Sequence, residues 1–132
     1  MLPQVRLVIV RHAEAAAGAP DELRPLTAAG HDQARALGQT LRDELGIPDA
    51  VLSSPLLRAR ETAADLELGQ AQAEELLAPG ATPDDVLRAA DGRGELVVVV
   101  AHQPDCGRIA AALTGGEEPA FPPAGWTLVD LR

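Results

Sequence analysis

Residues 96–104 carry the strongest structural signal in the sequence and read Leu96-Val97-Val98-Val99-Val100-Ala101-His102-Gln103-Pro104. The first five of these residues are apolar and four of them are β-branched, which predicts a strand buried on both faces of a sheet. The residues that follow predict a helix over Pro104–Leu113. A buried strand that leads directly into a helix is typical of α/β proteins.

Strand and helix signals also alternate along the rest of the chain. Further strands are predicted at Val5–Val10, Ala50–Ser53 and Trp126–Leu131, with a weak segment near Ala71–Leu77. Helices are predicted from a Thr27 N-cap to a stop at Gly46 and Pro48, over Leu56–Leu68, and over Pro83–Ala90 with Thr82 as its cap. This order predicts a three-layer α/β/α sandwich with a mostly parallel central sheet, formed by one domain over residues 1–132.

The composition argues against several classes of partner. The formal net charge is −9 and all eleven basic residues are Arg, so the chain lacks the basic surface that nucleic acids and anionic membranes require. Its single Cys cannot form an internal disulfide. No apolar run approaches the ~20 residues that span a bilayer. We therefore expect a cytoplasmic monomer that binds neither nucleic acid nor membrane.

Charged and imidazole side chains stand where three of the predicted strands end. The first strand runs into Arg11 and His12, the second leads to Arg58, and the strand at residues 96–100 leads to His102. In a parallel sheet these ends share one edge, where ligands bind. Guanidiniums bind the oxygens of a dianionic tetrahedral group, and a neutral imidazole can attack phosphorus to form a covalent intermediate. A site of this kind needs no metal and no cofactor.

Other phosphatase chemistries need residues that this chain does not have. Cys106 has no Arg six positions later, as the C-x5-R loop of cysteine phosphatases requires, and the chain contains neither a D-x-D motif nor a Lys for a Walker A loop. Two alternative hypotheses from other functional classes stay open. One is a metal-dependent hydrolase that uses His12, His102 and carboxylates, although a rim rich in Arg repels cations. The other is a non-catalytic phosphate-binding domain.

Four segments resemble motifs of the histidine phosphatase superfamily, which includes phosphoglycerate mutases and several acid phosphatases. L-V-I-V-R-H-A-E at residues 7–14 resembles the R-H-G signature, and R-P-L-T-A-A-G at Arg24–Gly30 resembles the P-L-T-x-x-G segment. S-S-P-L-L-R-A-R-E-T at Ser53–Thr62 resembles the S-P-L-x-R-A-x-x-T segment. V-V-A-H-Q-P at Val99–Pro104 resembles the strand that carries the family's second histidine. The four segments occur in the family's order and extend over most of the chain.

The resemblance implies a phosphoglycerate mutase-like fold and a role for each matching residue. His12 would be the phosphorylated nucleophile, and Arg11, Arg58 and His102 would bind the phosphoryl group. The chain departs from the pattern at Ala13, where the family usually has Gly. Ala adds a methyl group where the backbone passes close to the phosphate.

The chain resembles a small branch of this family, the SixA-type phosphohistidine phosphatases. It has no room for the insertion with which larger members supply a Glu that protonates the leaving alcohol. Glu14, Glu74 and Glu75 stay open as proton donors, although we interpret the first as a helix-surface carboxylate and the other two as solvated surface charges. In this branch an Arg before P-L-T lies near the pocket, which makes Arg24 a candidate substrate-binding residue. Gln103, next to the second histidine, is another.

The chemistry of the leaving group favours phosphohistidine as the substrate. An alkoxide must receive a proton in the transition state, a contribution worth roughly 10²–10⁴-fold. An imidazole, whose conjugate acid has a pKa of about 6.5, can leave without a dedicated acid. We therefore predict a metal-independent phosphatase that acts on a phosphorylated protein. A phosphatase of small phosphate monoesters that uses the same site is the alternative.

Overall fold

Strands and helices alternate along the chain in the computed structural model, which describes residues 5–131. The strands are β1 (Val5–Arg11), β2 (Ala50–Ser53), β3 (Ala71–Ala73), β4 (Leu96–Ala101) and β5 (Trp126–Leu131). The α-helices are α1 (Ala28–Leu45), α2 (Leu57–Asp65), α3 (Pro83–Ala90) and α4 (Asp105–Thr114), with short 3-10 helices at Asp21–Leu23 and Glu75–Leu77. Within residues 5–131, none of the helices has the length and apolarity needed to cross a bilayer.

The five strands form one sheet in the order β3-β2-β4-β1-β5. The first four of these are parallel to their neighbours, and β5 runs antiparallel to β1. In the ladder between β1 and β4, Arg11 lies opposite Ala101, and in the ladder between β2 and β4, Ser53 lies opposite Val100. The carboxyl ends of the three inner strands therefore meet at one edge, and the predicted mostly parallel sheet is confirmed.

Alternate side chains of the central strands supply two separate apolar clusters, one on each face of the sheet. Leu7 and Val97 belong to the cluster that includes residues of α3 and α4, whereas Val8 and Val98 belong to the cluster that includes residues of α1 and α2. All four are at most 1% exposed, and each buried Val or Leu side chain stabilises the fold by about 1.5–3 kcal/mol. The helices thus cover both faces, which confirms the three-layer sandwich.

The helix caps follow the predictions closely. The side-chain oxygen of Thr27 accepts a hydrogen bond from the Gly30 amide at the start of α1, and Thr82 forms a capping box with Asp85 at the start of α3. Helix α4 begins and ends one residue later than predicted.

Helix α2 and the segment after it differ from the predictions. We predicted a helix over Leu56–Leu68, but it ends at Asp65. Glu67 adopts a left-handed conformation, with φ of 53°, which an α-helix cannot include. The weak segment near Ala71–Leu77 divides into the edge strand β3 and a 3-10 helix.

Candidate active site

The sheet brings His12 and His102 together. Each follows directly after a strand, β1 and β4 respectively, and the last residues of these two strands are paired. The amide of His12 also donates to the carbonyl of Ala101 at 3.0 Å, which continues the ladder by one step. As a result the two imidazole rings lie with their centroids 5.2 Å apart and their planes inclined by 59°.

The ring of His12 is held in the form that a nucleophile needs. Its Nδ1 lies 2.7 Å from the carbonyl oxygen of Ala13, and because a carbonyl can only accept, Nδ1 carries the proton. Nε2 then keeps its lone pair. Burial lowers the pKa of His12 below its ordinary value, and the positive charges of Arg58, Arg11 and Arg24 act in the same direction against the opposing hydrogen bond to Ala13. The neutral ring is therefore favoured.

The ring of His102 is almost completely buried, with 3% of the residue exposed. Its Nε2 lies 2.8 Å from the hydroxyl oxygen of Ser54, the residue that follows β2. Burial, and next the charge of His12, lowers the pKa of His102 to about 3, so this ring is neutral at ordinary pH. Among the residues that the structure describes, Nδ1 of His102 has no hydrogen-bond partner.

Two arginines flank the histidine pair. Arg11 ends β1, and its Nη1 donates to the carbonyl of Phe121 at 2.9 Å, while its buried Nε has no partner within residues 5–131. Arg58 lies in the first turn of α2 and is only 7% exposed. Its Nη1 and Nη2 donate to the backbone carbonyl and the carboxylate of Asp21, at 2.9 and 3.2 Å. The contact with Phe121 shows that the loop before β5 reaches this edge of the sheet.

Asp21 joins Arg58 to Arg24. Nη1 of Arg24 donates to the Asp21 carboxylate at 3.0 Å, and its Nε donates to the carbonyl of Ala16 at 2.8 Å. The hydrogen bond from Arg24 and the contact with Arg58 lower the pKa of Asp21 below its ordinary value. This carboxylate is therefore ionised at neutral pH and has no proton to donate. Sequence reasoning missed Asp21 because an Asp three residues before an Arg is indistinguishable from a solvated surface charge.

The buried hydroxyl of Thr62 connects the nucleophile's loop to α2. It accepts a hydrogen bond from the amide of Ala13 at 3.0 Å and donates to the carbonyl of Arg58 at 2.8 Å. The sequence motif contains Thr62 but gave no role for it. The methyl group of Ala13, which departs from the family pattern, is fully buried in a small cluster with Leu26 and Ala34. The fold thus accommodates Ala at this position.

Gln103 and Glu14 have local roles that the sequence did not indicate. The side-chain oxygen of Gln103 accepts a hydrogen bond from the amide of Gly107 at 2.8 Å, within the first turn of α4. Substrate binding by Gln103 stays a prediction. We interpreted Glu14 as a carboxylate on a helix surface, and this was wrong: it lies in the loop after β1, where its amide donates to Gln33. No helix forms there, because the backbone turns back and Ala15 pairs with Leu26.

The two other candidate acids lie near β3, at the edge of the sheet. Glu74 caps the following 3-10 helix and lies 3.7 Å from the guanidinium of Arg93. Glu75 is exposed. Within residues 5–131 there is no group of three or more His, Cys, Asp or Glu side chains that could hold a metal ion. The imidazoles and guanidiniums that meet at this edge of the sheet suit a tetrahedral anion.

Comparisons with known proteins agree with this chemistry. Residues 7–78 match the model of the histidine phosphatase superfamily, branch 1. The phosphohistidine phosphatase SixA of Escherichia coli strain K12 is 35% identical over 126 residues, which cover 87% of this chain and 78% of that protein.

Solved structures extend the likeness to the fold. The structure of the protein histidine phosphatase SixA complexed with tungstate superposes with a TM-score of 0.81 at 31% identity, covering 91% of this chain and 84% of that one. A mycobacterial glucosyl-3-phosphoglycerate phosphatase has a TM-score of 0.70 at 21% identity, covering 96% and 90% of the two chains, and shows the fold alone. From the matched motifs, the identity to SixA and the shared fold, we conclude that this chain belongs to the histidine phosphatase superfamily, in its SixA-type branch.

Proposed function

We propose that this phosphatase removes phosphoryl groups from protein phosphohistidine through a phosphohistidine intermediate on His12, without a metal ion. In the first step the lone pair on Nε2 of His12 forms a bond to phosphorus while the bond from phosphorus to the substrate's imidazole breaks, and a proton from solvent on the other nitrogen of that imidazole lets it leave as a neutral ring. In the second step water attacks phosphorus, the bond to Nε2 of His12 breaks and restores its lone pair, and inorganic phosphate leaves while the proton lost by the water passes to solvent. The observation that carries the proposal is the hydrogen bond from Nδ1 to the Ala13 carbonyl, which leaves Nε2 unprotonated.

Three further residues would bind the phosphoryl group in this mechanism. The nearly buried guanidinium of Arg58 would neutralise the equatorial oxygens together with that of Arg11, whose Nε has no partner among the described residues. Nδ1 of His102, which also has no partner within residues 5–131, lies on the ring next to the nucleophile. Arg24 would add positive charge, with its side chain bound to Asp21 and to the Ala16 carbonyl.

The preference for phosphohistidine over phosphate esters follows from the state of the carboxylate at the site. Asp21 contacts both Arg24 and Arg58, and these contacts keep it ionised, so it cannot protonate an alkoxide. An imidazole leaving group needs no such acid. Phosphate monoesters would therefore be slower substrates of the same site.

A competition among three substrates tests the proposal. Phosphohistidine peptide, phosphoserine peptide and a small phosphate ester are offered to the protein with and without a chelator. We expect rapid release of phosphate from phosphohistidine, slow release from the esters, and no effect of the chelator. Fast turnover of an ester alone would refute the substrate assignment, and loss of activity with chelator would refute the metal-free mechanism.

Trapping of the phosphoryl-enzyme separates a catalyst from a non-catalytic phosphate-binding domain. The wild-type protein should retain labelled phosphate after acid-free quenching, whereas His12→Ala should not. His31→Ala is the matched control, because His31 is paired with Asp65 and lies on α1, away from the histidine pair. An unlabelled wild type would favour the non-catalytic domain.

The proposal also includes a single-domain, cytoplasmic monomer. Sedimentation of the purified protein tests the oligomeric state.

A further inference from the structure

The hydroxyl group of Ser54 contacts both the backbone amide of Leu56 and the ring of His102. Ser54 is fully buried and follows β2 directly. Its oxygen accepts a hydrogen bond from the amide of Leu56 at 3.2 Å and lies 2.8 Å from Nε2 of His102. Because an amide can only donate, one lone pair of the serine oxygen is committed to Leu56.

Counting protons in this chain of contacts restricts the tautomer of His102. The ring is neutral, since burial lowers the pKa of His102 to about 3, and it therefore carries one proton on either Nδ1 or Nε2. If the proton were on Nε2, it would be donated to Ser54, and the proton of the buried hydroxyl would need another acceptor. If the proton is on Nδ1, the hydroxyl donates to Nε2. The amide proton of Leu56 and the hydroxyl proton of Ser54 then both have acceptors. Each arrangement leaves one buried donor without a partner among the described residues: the Ser54 hydroxyl in the first, and Nδ1 of His102 in the second. The second arrangement is favoured because Nδ1 lies on the ring beside the nucleophile, where an oxygen of a bound phosphoryl group can accept its proton.

We propose that Ser54 is a positioning residue whose hydroxyl donates to Nε2 of His102 and thereby fixes the proton of that ring on Nδ1. Nδ1 then is a hydrogen-bond donor, buried beside the nucleophile's ring and without a partner among the described residues. A donor at this place stabilises negative charge on a phosphoryl oxygen, whereas a lone pair would repel it. The tautomer and its consequence for the anion both rest on the proposed function, because the bound phosphoryl group supplies the acceptor for Nδ1.

Nitrogen-15 NMR of histidine-labelled protein tests the tautomer directly. The chain contains three His, so the ring signals can be assigned with one variant for each. Couplings between ring protons and the two nitrogens show which nitrogen is protonated. In the wild type we expect His102 to be protonated on Nδ1. Protonation on Nε2 would overturn the proposal, whatever the variants do.

Variants then test the role of the hydroxyl. Ser54→Ala should shift a large share of the His102 proton to Nε2 and weaken the binding of inorganic phosphate roughly tenfold or more, as expected for a lost hydrogen bond to a charged group. Ser54→Thr should restore both readouts. Ser53→Ala removes another buried hydroxyl one residue earlier and should change neither. A Ser54→Ala protein with the wild-type tautomer would contradict the positioning role.

The two readouts also separate this inference from the proposed function. The wild type can show the expected tautomer and yet form no phosphoryl-enzyme, which would refute the proposed function and leave the role of Ser54 intact. Formation of the phosphoryl-enzyme together with an Nε2-protonated His102 would refute the role of Ser54 and leave the proposed function intact.

Discussion

Replacing Gly30 by Ala should disturb catalysis from a position that does not contact the histidine pair. Gly30 lies in the first turn of α1, and a Cβ atom there would stand 2.1 Å from the carbonyl oxygen of Glu14 and 3.1 Å from its carbonyl carbon. Real Cβ atoms essentially never approach another atom within 3.0 Å, so helix and loop must separate by roughly 1 Å. Glu14 is two residues from His12 and one from the carbonyl that holds its ring.

The magnitudes follow from this displacement. A shift of about 1 Å in a positioned catalytic group costs about 100-fold in rate. For stability, overpacking costs about 1–3 kcal/mol, and the better helix propensity of Ala returns up to about 1 kcal/mol. We therefore expect Gly30→Ala to lose about two orders of magnitude in phosphoryl-enzyme formation and about 1–2 kcal/mol in the free energy of unfolding.

Gly38 provides the matched control on the same helix. A Cβ there would stand 2.1 Å from the carbonyl oxygen of Leu66, beyond the end of α2 and away from the histidine pair. Because three backbone atoms of Leu66 would lie within 3.0 Å of the new Cβ, Gly38→Ala should destabilise the protein at least as much as Gly30→Ala and yet retain most of its activity. Rapid-quench labelling and urea denaturation measure the two quantities. Equal losses of activity in both variants, or an active Gly30→Ala protein, would refute the argument.

Three further predictions concern charge and hydrogen bonding at the site. Burial lowers the pKa of His12 from its ordinary value of 6.5, so the rate of phosphoryl-enzyme formation should fall at acid pH with a midpoint below 6.5, and a midpoint at or above that value in a rapid-quench profile would contradict this. Asp21→Asn removes a negative charge from two guanidiniums, so competitive inhibition by inorganic phosphate should become severalfold tighter; unchanged or weaker inhibition would argue against it. Thr62→Val leaves the buried Ala13 amide without its acceptor and should lower the free energy of unfolding, measured by urea denaturation, by about 1–3 kcal/mol. Thr62→Ser keeps the hydroxyl and should lower it less. Equal losses in the two variants would show that packing, not the hydrogen bond, dominates.

Much of the fold could be predicted because the strong signals are local. The β-branched runs that became β1 and β4 are buried on both faces, and central strands covered on both faces of a sheet need such runs. Thr27 and Thr82 cap the helices that their sequences predict. The end of α2 could not be predicted, because the left-handed turn at Glu67 has no distinctive residue type.

The site could be predicted only in part, again because the strong sequence signals are local. His12 and His102 follow directly after strong strands, so their meeting depends only on the order of two neighbours in the sheet. Asp21 reaches the site through the conformation of the loop after β1 and contacts Arg58 across 37 residues of sequence, whereas Ser54 follows β2 directly and contacts His102 across 48 residues. Neither residue type is distinctive, and the roles of all these residues stay predictions until variants are measured.

The antiparallel pairing of β5 with β1 has a consequence for synthesis on the ribosome. Val5 pairs with Leu131, and Arg11 is held by the carbonyl of Phe121. A growing chain that has emerged only as far as α4 thus has both imidazoles but lacks the segment that orients Arg11. Because contacts between distant segments form late in folding, the nascent protein should stay inactive until β5 has docked.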